Sequence, residues 1–496
     1  MESKKEIRIE TSNILSDFKN HLQIENNKRI LFSGPFGTGK STFLNEFSEI
    51  ESEDYFYLKI FPVNYSVSSN EDVFELIKFD LLFQLMGRYY EEIQLEKEDF
   101  TLLLKSQMFI MERMNFMPLL YAILGFSEKI GTPIVDFIKA LESTVGDFKK
   151  FNDEIKIDEE YDIHAFLKSI ENKKGNLYEM DTISELIFDL IGRVRKVNQK
   201  SAVLIIDDLD RLDPEHIFRL FNIFSAHYIE INGNNKFGFD KVVFVCDIEN
   251  IRKIFHHRYG IDVDFSGYID KFYSISPFDF DNRNYIKAKI EELLYNIQFH
   301  SSLNYYKFDN HEGFFNCVKA VTQSLIDSRE LNLRMILDCP SLSVPDFHFG
   351  NRQNPGATPI LVLFYFFKNF YGSFEILHLK FKTLSEMLAS ETFRSDHRYR
   401  YVTKDEYDSN FLMSFCLTFL LPDDLSNKKS EEINTYYSVN YDCTFHYASD
   451  RYSNVKNLQK ITKGKEVIGL LEVCELNPYL ILYDVFNICK KRGLLK

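Results

Sequence analysis

One octapeptide limits what this chain can fold into more than any other stretch. Gly34, Pro35, Phe36, Gly37, Thr38, Gly39, Lys40 and Ser41 satisfy GxxxxGK[ST] at every position. The apolar run RILFS precedes them, and STFLNEFSEI, with helical spacing, follows. Strand, glycine-rich loop, helix is the context in which main-chain N–H groups curl around phosphate oxygens, with the positive end of a helix dipole behind them. In that frame Lys40 reaches the β- and γ-phosphates, Ser41 ligates Mg2+, and Thr42 completes the cofactor-binding run.

Hydrolysis needs a carboxylate on a neighbouring strand to hold the metal's water shell and a second group to orient the attacking water. The run VLIIDD, Val203 to Asp208, offers both: Asp207 at the strand end for the metal, Asp208 for the water. The competing reading is a pair of acidic helix caps. Around these motifs the pattern alternates strand and helix, the signature of a parallel α/β sheet. RILFSG, YFYLKIFPV, SAVLIIDD, KVVFVCD and KFYSISPF read as strands, the last only strand-like.

That layout divides the chain into an NTPase core (1–88 and 177–280), an inserted helical subdomain (89–176), a helical lid (281–340) and a mainly helical C-terminal partner or sensing domain (341–496). The Tyr-rich stretch INTYYSVNYDCTFHYASDRYS has no clear period. The fold class expected is α/β, a P-loop NTPase of AAA+ or STAND type.

The set GPFGTGKST, IDDLDRLDP, KVVFVCD and YIDKFYSISPF, in that order, closely resembles the KAP family of P-loop NTPases over roughly residues 11–337. The resemblance implies several roles. Asp247 would sense the γ-phosphate, Asp270 and Lys271 match an acidic-lysine pair before the last strand, and Arg329 or Arg334 in DSRELNLRMIL would be a second sensor. Bacterial KAP proteins include phage-exclusion factors, so antiviral defence is the expected setting.

Arg211, Arg252 and Arg258 are candidates for an arginine finger acting on a neighbouring subunit, Arg258 in HHRYG foremost, against ordinary salt bridging. A homo-oligomer with a protein effector or sensor partner is therefore expected. No NKxD selects guanine, which favours ATP. The formal charge of −15 gives no global footprint for nucleic acid and leaves only a local basic groove, so nucleic-acid binding is undecided.

Seven scattered cysteines without CxxC spacing suggest reduced thiols. MESKKEIRIETSN lacks the apolar core of a signal peptide, and the mature chain is expected to start there. Many KAP members carry transmembrane hairpins, but the most apolar zone here contains Glu128 and Lys129. The other apolar runs are shorter than a span, so buried helices in a cytoplasmic protein are expected.

Overall fold

The computed structural model describes residues 11–65, 73–93, 182–226, 235, 237–299, 308, 311–339, 348–349, 352–353, 358–388, 404–422, 425, 432–449, 456–465 and 476–495. Apart from its first few residues, the helical insertion expected over 89–176 lies outside the described residues. The chain divides into two units.

The first unit comprises Ser12–Pro35 and Lys40–Phe280. Its five strands are β1 (Arg29–Ser33), β2 (Tyr55–Ile60), β3 (Ser201–Ile206), β4 (Lys241–Cys246) and β5 (Phe278–Asp279), paired in parallel in the order β2-β3-β4-β1-β5. β3 and β4 are buried almost throughout, because a parallel sheet is covered on both faces. The helices α1 (Ser12–Gln23), α2 (Lys40–Ile50), α3 (Val73–Arg88), α4 (Thr182–Asn198), α5 (Pro214–Ala226) and α6 (Ile248–Tyr259) alternate with the strands.

Phe18 of α1 seats this layer against the sheet, its ring 4.7 to 6.1 Å from those of Phe32, Phe43, Phe47 and Phe278. The strand-like KFYSISPF departs from expectation. Asp270–Phe272 form a short 3-10 turn, the chain bends after it, and only Phe278–Asp279 pair with β1. The run is held instead by Ser274, which receives the N–H groups of Lys28 and Arg29 on its hydroxyl and donates its own N–H to the Arg29 carbonyl.

The second unit comprises Met1–Thr11, the loop segment Phe36–Gly39 and Asp281–Lys496. One apolar core runs from Ile286 to Cys489. It takes in α7 (Glu312–Asp327), α8 (Pro359–Tyr371), α9 (Phe374–Met387), α10 (Lys404–Leu420) and α11 (Pro478–Lys491). α8, from the apolar run PILVLFYFF, is a buried core helix. Among the described residues no single helix is long and apolar enough to cross a membrane.

The Tyr-rich stretch supplies β6 (Asn434–Ser438) and β7 (Cys443–Ser449), which with the following β8 (Lys456–Lys463) make a three-stranded antiparallel meander with β7 central. Five cysteines are buried free thiols. Cys443, however, is disulfide-bonded, contrary to the expectation of reduced thiols throughout. Sequence spacing carries no information on which cysteines the fold brings within bonding range.

His311 caps α7, its Nδ1 accepting the N–H of Phe314 at 3.0 Å. Burial holds its pKa below the usual value. Because the folded state prefers the neutral ring, the stabilisation is complete above the unfolded pKa of about 6.5 and is lost as pH falls toward the lower folded value. Wild type minus His311→Asn should therefore lose melting temperature on acidification from pH 7.5 to 5.5, since asparagine caps at any pH. A pH-independent difference would refute this.

Candidate nucleotide site

The glycine-rich loop leaves β1 at Ser33, in register with Cys246 of β4. Gly34 donates its N–H to the Cys246 carbonyl at 3.1 Å. A Cβ on Gly34 would stand 2.9 Å from the carbonyl oxygen of Phe280, so only glycine fits. Gly37 and Gly39 have φ of +75° and +92°, the left-handed side that turns successive N–H groups inward. Lys40, largely buried at the start of α2, donates to the carbonyls of Gly34 at 2.7 Å and Pro35 at 3.1 Å.

The loop segment Phe36–Gly39 has its own partners within the second unit. Asn282 donates its amide to the Thr38 carbonyl at 2.6 Å, and the Arg334 main-chain N–H reaches the Gly37 carbonyl at 3.2 Å. The Arg334 guanidinium lies 5.2 Å from the centre of the Phe36 ring. A Cβ on Gly37 would fall 2.8 Å from the Asn332 side chain. Of the two expected sensor arginines, Arg334 is thus the one against the loop. Arg329, at φ 60°, is near Asp281, whose carboxyl lies below its ordinary range chiefly through Arg283 and in smaller part through Arg329.

Asp207 follows β3 and is wholly buried. Its Oδ1 accepts the N–H of Asp208 at 2.9 Å. Its Oδ2 lies 2.9 Å from Lys59 Nζ, a contact of charge without an aligned hydrogen bond. A buried carboxylate oxygen with no aligned donor, together with the Ser41 hydroxyl at the start of α2, is a hard oxygen donor set that fits Mg2+.

Asp208 is left-handed, φ 56°, and its Oδ2 meets Arg211 Nη1 at 3.0 Å. The carboxylate expected to orient water is therefore held by an ion pair. Asp247, just after β4, caps α6 by accepting the N–H groups of Glu249 at 3.0 Å and Asn250 at 3.4 Å. Arg258 pairs with Glu215 at 2.6 Å and Arg252 with Glu249 at 3.0 Å. Asp270 accepts the Tyr273 hydroxyl, and the Lys271 carbonyl accepts Arg29.

Two functional candidates escaped sequence reasoning. Lys59, on β2, is one. The other is Asp210, almost buried in the DDLDR turn. Burial pushes its carboxyl above the ordinary range, opposed by the charge of Lys40 and by hydrogen bonds from the Asn250 side chain and the Asp247 main chain. The acidic motif itself was the signal for Asp210; for Lys59 nothing local in the sequence was.

The carboxyl ends of the adjacent strands β1, β4 and β3 thus bring the loop, Asp247 and Asp207 to one end of the sheet, where ligands bind in open α/β folds. No curated protein matches this sequence. The model of the KAP family P-loop domain matches residues 10–313, more than half of the chain. That match takes in both the glycine-rich loop and the acidic strand end, and the chain belongs to the KAP family of P-loop NTPases.

Proposed function

We propose that this chain is an ATP-hydrolysing switch whose lid, oligomeric state or both respond to the triphosphate. The carrying observation is the carboxyl end of the sheet: loop, Asp247 and Asp207 follow adjacent strands β1, β4 and β3. The loop amides and Lys40 bind the phosphates, Ser41 and Asp207 hold Mg2+, and Asp247 faces the γ-phosphate side. When bound, the metal supplies positive charge to the phosphate oxygens during transfer. Only a triphosphate gives Lys40, Asp247 and a lid arginine one shared ligand, so it alone favours the closed form. Closure places Arg258, released from Glu215, at a neighbouring copy's site.

The setting we propose is antiviral defence in the cytoplasm, in keeping with the phage-exclusion members of the family. The C-terminal domain would recognise an invader or a protein effector. Light scattering in apo, ADP and non-hydrolysable ATP forms tests the assembly; a mass independent of nucleotide refutes it. Phage plating with and without an intact Lys40 tests the setting.

A second reading has an observation of its own. Asp208 is tied to Arg211 and Asp247 to a helix cap, which suits a nucleotide-stabilised scaffold with little turnover. Asp208→Asn decides between them. For the switch, phosphate release should fall by roughly 100-fold, the scale of a lost general base, while ATP affinity persists. Unchanged release and cellular activity would favour the scaffold.

A further inference from the structure

Lys59 is not an ordinary edge-strand lysine. β2 lies at the edge of the sheet, and the Lys59 peptide is clamped by Gln84 of α3, which accepts its N–H at 3.2 Å and donates to its carbonyl at 2.6 Å. Gln84 is itself fixed by Asp80 at 2.9 Å. The side chain is only 11% exposed, with its ammonium 3.0 Å from Asn45 Oδ1, 2.9 Å from Asp207 Oδ2 and 4.9 Å from the centre of the Phe61 ring. Asn45 stands four residues beyond Ser41 on α2 and so shares its face. A fixed positive charge thus bridges the helix that carries the metal-binding hydroxyl and the carboxylate at the end of β3.

Two charges that need the same carboxylate oppose one another. The lysine neutralises Asp207, which at zero exposure would otherwise be a costly lone charge. A divalent cation between Ser41 and Asp207 is repelled by that ammonium and must draw Asp207 away from it. We infer that Lys59 is a positioning residue that acts through Asp207: it competes with Mg2+ for the carboxylate and sets the magnesium concentration at which nucleotide is captured. This rests on reading Ser41 and Asp207 as the magnesium site.

The test is a magnesium titration of fluorescent ATP-analogue binding, with melting temperature as a readout free of turnover. Lys59→Met should lower the melting temperature in EDTA. It should also reduce the magnesium needed for half-maximal binding by about tenfold or more, a small part of what unpairing a buried charge costs its partner. Lys59→Arg should keep the wild-type magnesium dependence. The double variant Lys59→Met with Asp207→Asn should recover melting temperature, because no lone charge is left. If the wild type responds to magnesium and Lys59→Met is unshifted, or needs more, the inference alone is overturned. A wild type indifferent to magnesium at every nucleotide concentration overturns the magnesium-site reading and the inference together.

Discussion

Lys40→Ala should weaken nucleotide binding by about 30- to 5,000-fold while the protein remains folded. The ammonium is largely buried and its hydrogen bonds go to two carbonyls of its own loop, Gly34 and Pro35. Phosphate oxygens would exchange neutral acceptors for charged ones, and such charge-assisted bonds are about twice as strong as neutral ones. Truncating one side of a buried charge contact costs roughly 2 to 5 kcal/mol, equivalent to about 30- to 5,000-fold in affinity. Stability should change far less, since alanine suits the first turn of α2 and the carbonyls it leaves lie at a loop.

A second readout separates a local from a global effect. Lys40 opposes the upward push that burial exerts on Asp210, so its removal should move the Asp210 carboxyl higher still. Carboxyl-carbon NMR would follow that titration. Calorimetry giving wild-type affinity for ATP with Lys40→Ala would remove the phosphate-binding role from this loop.

What the sequence disclosed and what it hid divide along one physical line. Strands buried on both faces must be apolar throughout, so RILFS, VLII and KVVFVC announced themselves, and a glycine-rich loop between strand and helix admits few other readings. β7 is just as buried, yet it carries Thr444 and His446 in its interior. These are satisfied across strands: Thr444 donates to the Gly464 carbonyl at 2.7 Å, and the His446 ring meets the Thr462 hydroxyl at 3.1 Å. Polar residues paired in this way read as a loop when only composition is visible.

The site divides likewise. Asp207 was placed by the strand before it, whereas its partner Lys59 is 148 residues away and reaches it only because β2 pairs with β3, Lys59 opposite Ile205. The turn of Asp208 toward Arg211 was also hidden, because it depends on a left-handed backbone that no apolar pattern records. Both are tertiary choices made at functional positions, where local rules are most often broken.

Gly34→Ala is expected to damage fold and site together, for a reason that is steric alone. Gly34 is absent from the residues with positive φ, so alanine meets no backbone penalty there. Its Cβ would lie 2.9 Å from the Phe280 carbonyl oxygen, 3.2 Å from the Phe280 Cβ and 3.4 Å from the Lys40 Cδ. Neither side can yield freely. Gly34 is held from β4 by the Cys246 carbonyl, and Phe280 is held by its own N–H to the Ser33 carbonyl at 2.6 Å. The Phe280 ring also packs 4.9 Å from that of Phe43.

Overpacking of this kind costs about 1 to 3 kcal/mol, and at about 2 to 4 °C per kcal/mol the melting temperature should fall by roughly 2 to 12 °C. Because relief of the clash with Phe280 must shift the loop on which the Lys40 stem rests, 3.4 Å from the added methyl, ATP affinity should drop in step. Gly39→Ala is the contrasting variant: its φ of +92° brings strain, but no atom lies within 4 Å of the added carbon. It should cost only about 1 to 2 kcal/mol of backbone energy. Scanning calorimetry that finds Gly34→Ala as stable as wild type would show that Phe280 does not close on the loop.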